Sequence, residues 1–99
     1  MPNVTFKVAC TGVSYRVWVV SPDKVIHDLA FQRVDGKDVT VPAVDLPTGA
    51  HRLHWVFAGN VGDTIAIVGT GDDGKDVVKT GERAIVKGSS GFGAKGFTL

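Results

Sequence analysis

Apolar residues recur at every second position over much of this chain. Val4, Phe6 and Val8 alternate with Asn3, Thr5 and Lys7; Val13, Tyr15, Val17 and Val19 alternate with Ser14, Arg16 and Trp18; Leu53, Trp55 and Phe57 alternate with Arg52, His54 and Val56. A period of two is that of a strand with one buried face, because successive side chains point to opposite sides of a sheet. Ile65 and Ile67 continue the pattern past Gly59-Asn60-Val61-Gly62, so the sequence predicts a hairpin over residues 51–69.

Turn formers punctuate the chain at Gly12, Ser21-Pro22, Asp35-Gly36, Pro47-Thr48-Gly49, Gly59 to Gly62, Gly69 to Gly74, Gly81 and Gly88 to Gly91. Short strands between such signals, with no long helical pattern, predict an all-β fold. The expected architecture is one domain over residues 1–99, a small antiparallel β-sandwich, immunoglobulin-like in style, or a β-barrel, of about seven strands. Residues 88–96 read as a Gly-rich flexible loop before a last strand from Gly96 to Leu99.

Residues 21–34 admit two readings. Ser21-Pro22-Asp23 has the chemistry of a helix start, with Val25, Ile26, Leu29 and Ala30 as a helical stripe. The favoured alternative is a strand that turns Val25, Leu29 and Phe31 inward and runs through Asp35-Gly36 into an antiparallel partner at Lys37 to Val41. Asp-Gly-Lys-Asp-Val occurs at 35–39 and again at 73–77, which two independent hairpin turns explain without a duplication.

Composition narrows the function classes. Eleven Lys and Arg face ten Asp and Glu with the signs interspersed, so nucleic acid and anionic membrane are not expected partners. A local basic bias at Lys79, Arg83, Lys87 and Lys95, against Glu82 alone, reads as a solvated edge. Cys10 is the single cysteine and lies in phase with Val4, Phe6 and Val8, which predicts a buried thiol and favours a reducing compartment. The start of the chain has no basic segment followed by an apolar run and no stretch is long enough to span a bilayer, so the expected location is cytoplasmic.

The motifs that look catalytic fail on their chemistry. Gly69-x-Gly71-x-x-Gly74 lacks the following helix and the distant acid of a dinucleotide site; read as a P-loop, Asp76 stands where magnesium needs a hydroxyl, and Asp72 and Asp73 repel phosphate. Asp72, Asp73 and Asp76, or Asp35 and Asp38, are weak calcium candidates without the order of an EF-hand. His51 and His54 stand an odd number apart on one strand and so face opposite ways, which with His27 alone leaves no zinc set. No cofactor is implied, and a Ser-His-Asp catalyst has no motif to support it.

What remains is a surface. Arg16 and Trp18 lie on the polar phase of one strand, Arg52 and His54 on that of another, and neighbouring strands would join them into one aromatic and basic patch. The competing reading covers Trp18 with a second sheet or the 21–34 segment. The expected function is a non-catalytic binding or assembly module, engaging a protein partner or its own copy through this face or a free sheet edge. A carbohydrate-binding module stacking a sugar on Trp18 is the second expectation, and an enzyme the third.

Overall fold

A computed structural model describes residues 3–30 and 39–99, and none of these is helical. Nine strands occupy them: β1 (Asn3–Cys10), β2 (Ser14–Val20), β3 (Ile26–Ala30), β4 (Val39–Asp45), β5 (Ala50–Ala58), β6 (Thr64–Gly71), β7 (Asp76–Lys79), β8 (Arg83–Ala84) and β9 (Ser90–Thr98). They form two antiparallel sheets. One runs β4-β1-β6-β7 with β8 also on β6; the other runs β3-β2-β5-β9. The barrel alternative is thereby excluded, since each sheet keeps its own edges.

The inward phases are those the alternation predicts. Val4, Phe6, Val8, Cys10, Tyr15, Val17, Val19, Leu53, Trp55, Phe57, Ile65 and Ile67 are buried in one cluster that draws on both sheets. Leu46 and Ile85 add to it from outside the strands. Val13 does not join it; β2 begins at Ser14 and Val13 is exposed.

Four expectations need correction. The first is the hairpin over 51–69. β5 pairs with β2 and β9, whereas β6 pairs with β1, so residues 59–63 carry the chain from one sheet to the other. Asp63 holds this corner: its Oδ2 accepts the Asn60 amide at 2.7 Å and its Oδ1 accepts the Thr11 hydroxyl at 3.0 Å, while the Gly62 amide bonds the Ile85 carbonyl. A turn signal fixes a reversal but not which strand the returning chain will meet.

The second is the helix after Ser21. The Ser21 hydroxyl donates to the Val25 carbonyl, the Asp23 carboxylate accepts the Val25 amide, and Lys24 takes a left-handed φ of 67°, which ends any helical course within one turn. β3 follows, with Leu29 buried as expected but Val25 exposed. Third, β3 does not form a hairpin with β4: β3 lies on β2 and β4 on β1. Phe31 and the Asp35-Gly36 turn, with the calcium candidates Asp35 and Asp38, fall outside the described residues.

The fourth is the Gly-rich segment. Residues 90–98 are not a loop but the nine-residue β9, paired along its whole length with β5. Gly91 faces Phe57 and Gly93 faces Trp55, close enough that a Cβ at either glycine would run into the ring opposite. Glycine is used here so that backbone can lie on aromatic rings. The Asp73-Gly74 turn does what Asp-Gly predicts: Gly74, at φ 79°, closes the β6–β7 hairpin with its amide on the Gly71 carbonyl.

Candidate functional site: the outer face of the four-stranded sheet

β2 and β5 are neighbours, and their register places Trp18 opposite His54, Arg16 opposite Val56 and Val20 opposite Arg52. Paired residues share a face, so Arg16, Trp18, Arg52 and His54 lie together on the side of the sheet away from the core. Trp18 is half-buried, and β3 continues the sheet beside β2 rather than folding over this face. Its ring stacks on the His54 imidazole with centroids 5.3 Å apart and planes 6° from parallel. The Arg16 guanidinium stands 5.3 Å from the same ring centre.

Asp28 on β3 adds an acid that the sequence reading missed. The Arg16 Nη2 donates to its Oδ1 at 2.8 Å and the Nε at 3.2 Å, so Arg16 is neutralised and held over Trp18. Arg52, exposed, has no ion pair among the described residues and is the uncompensated cation of the face. His54 has its pKa lowered from the ordinary imidazole value, first by partial burial and then by the charge of Arg52. Burial and Arg52 together therefore favour a neutral imidazole.

Apolar side chains extend the face in both directions. Ile26, on β3, lies opposite Val20 and is 60% exposed; Phe92, on β9, lies opposite Val56 and is 85% exposed. The phase of Val56 with Arg52 and His54 was legible in the alternation. Phe92 was not, because the glycines around it leave no apolar period and suggest a loop. Together these residues form a band from Ile26 through Trp18 and His54 to Phe92, flanked by Arg16 and Arg52.

A concavity of about 590 Å³ lies beside β9, between the Glu82–Lys87 segment and Ser90 to Ala94, with Trp55 and Phe57 among its lining residues. The remaining candidates resolve into structural roles. Asp73 Oδ1 accepts the Lys75 amide at 3.0 Å, Asp76 Oδ1 accepts the Thr70 hydroxyl at 3.4 Å, and Asp72 is exposed in the same turn. Among the described residues no group of three His, Cys, Asp or Glu side chains is placed to hold a metal ion.

His51 and His54 face opposite ways, as their spacing predicts. His51 is buried against Phe97, with ring centroids 5.2 Å apart, and its Nε2 lies 2.6 Å from the Pro47 carbonyl oxygen. Ser21 and His27 come within 2.9 Å of each other, but Ser21 is 3% exposed and its hydroxyl is bonded to the Val25 carbonyl, which makes the pair a clamp on a turn and not a nucleophile with its base. Cys10 is buried. No described helix is long and apolar enough to cross a membrane.

Compared with protein-family profiles, with curated proteins and with solved structures, the chain matches none of them.

Proposed function

We propose that this chain is a non-catalytic binding module whose working surface is the outer face of the β3-β2-β5-β9 sheet, with the two sheets as the layers of a sandwich and a reducing, cytoplasmic setting for Cys10. The observation that carries the reading is the exposure of Phe92 at 85% beside Val56, on the same face as the ordered Trp18–His54 stack. Surfaces that hold aromatic side chains and arginine in fixed geometry have already met the ordering cost of binding. The uncompensated charge of Arg52 beside His54 makes a second copy of this face a poor match and a partner with acidic and apolar groups a good one.

Carbohydrate stacking on Trp18 ranks behind protein docking. A sugar needs a bare ring face, and His54 and Arg16 already lie against this ring. An enzyme ranks third, because the concavity of about 230 Å³ beside this face, lined by Ser14, Arg16, Val56 and Ser90, has no acid, histidine or cysteine among its lining residues.

The test is site-specific photo-crosslinking in the native cell. A photoreactive residue at Val56 is expected to trap one discrete partner, with the adduct lost in Arg52→Glu, while the same residue at Lys75 traps nothing specific. Adducts that survive both Arg52→Glu and Trp18→Ala would remove this face as the binding surface.

A further inference from the structure

The free edge of β9 and the concavity along it form a second surface, separate from the outer face and not needed for the function proposed above. An unpaired edge exposes N–H and C=O groups that accept any extended chain unless something blocks them. β4, β3 and β7 each meet their neighbour through a register shift, at Val4/Phe6, Val17/Trp18 and Gly69/Thr70 respectively, and β8 has only two residues. β9 runs nine residues against β5 with no shift, and no described strand takes its other edge.

The two halves of β9 differ. Lys95 guards the second half: it lies in phase with Gly93 and Phe97, and its Nζ reaches across to donate to the Lys79 carbonyl on β7. The first half, Ser90-Gly91-Phe92-Gly93-Ala94, has no charge, no proline and no bulge. It is also the half that borders the concavity of about 590 Å³, which exists because Gly91 and Gly93 place no side chain over Phe57 and Trp55.

The surroundings are cationic. Lys79, Arg83, Lys87 and Lys95 are all exposed, and Glu82 is the one acid of this stretch. Arg83 and Lys87 stand with Glu82 on the wall facing β9, which leaves that wall a net cation.

We infer that the β9 edge binds an extended peptide of alternating apolar and acidic residues from a protein partner, added as a further strand. Its backbone pairs with Ser90 to Ala94, about 16 Å of ladder at roughly 3.3 Å per residue. One row of its side chains enters the concavity over Trp55, Phe57 and Ile85, and its carboxylates meet Arg83 and Lys87.

The test uses the full chain and a six-residue peptide alternating valine and glutamate, with two controls: lysine in place of glutamate, and the glutamate peptide N-methylated at alternate amides. NMR titration is expected to shift and protect amides within 90–94 with the glutamate peptide alone. Lys87→Glu and a rise to 0.5 M salt are each expected to weaken it by about fivefold, as for a solvent-exposed charge contact. Any of four results overturns the inference: no binding, equal binding of the lysine peptide, retained binding after N-methylation, or shifts centred on Trp18 and His54. So would a dimer through β9 that excludes the peptide. Trp18→Ala leaves peptide binding unchanged while abolishing the crosslink from Val56, so failure of either proposal is seen without the other.

Discussion

Trp18 and His54 show how far a residue's surroundings set its chemistry. The imidazole is partly buried in the sheet and has Arg52 on its own strand, and both conditions disfavour its protonated form. Its titration midpoint, followed by NMR, is expected below that of an ordinary histidine. Arg52→Ala should raise it without restoring it fully, because burial is the larger cause and stays. The sign for stability follows: as pH falls through the usual histidine range, the unfolded chain takes up this proton before the folded one does, so stability is lost on acidification. His54→Gln should flatten that dependence. The facing of these residues was legible from alternation alone; the stack, and Asp28 as the counter-ion of Arg16, were not, because both depend on which strands become neighbours.

β9 is the element in which sequence signals point the wrong way. Glycine weakens a strand through its freedom and its missing side chain, and Gly88 to Gly96 therefore reads as a loop. The context that reverses this lies in β5, about 40 residues earlier, where Trp55 and Phe57 fill the space that side chains at 93 and 91 would claim. Gly93→Ala is expected to destabilise the fold by about 1–3 kcal/mol, as overpacking does, in chemical denaturation followed by Trp55 fluorescence. A loop would tolerate alanine at this position. The useful signal in hindsight is the spacing of Gly91, Gly93 and Phe97, all of one parity and so on one face of a strand. The helix signal after Ser21 failed for a comparable reason: serine and aspartate that serve as caps serve equally well in a turn, and here Val25 takes both of their bonds.

At the scale of the molecule, the class of the fold was readable and its wiring was not. Alternation assigns faces, and every buried strand residue of β1, β5 and β6 takes the inward phase, His51 and Gly69 as well as the apolar side chains. Pairing belongs to contacts between distant segments. The chain changes sheet between β1 and β2, β3 and β4, β4 and β5, β5 and β6, and β8 and β9. The corner at 59–63 is one such crossing, and Asp63 binds it to Thr11 at the crossing between β1 and β2. Asp63→Ala is expected to cost about 1–2 kcal/mol through the two hydrogen bonds to its carboxylate, measured by thermal unfolding, with the Asn60 and Thr11 environments changing together in NMR. An isolated hairpin over 51–69 would show no such coupling to Thr11.

These crossings bear on the order in which the protein is made. β5 has one flank on β2, which the ribosome has already delivered, and the other on β9, which it delivers about 40 residues later. Until residue 98 has emerged, the rings of Trp55 and Phe57 lack the glycine backbone that lies on them, and β5 is itself an open edge. The nascent chain thus passes through a stage in which its most aromatic strand is half-dressed, and a chain cut short before residue 90 is left in that stage as its end point, with the adhesiveness that an uncovered aromatic edge confers.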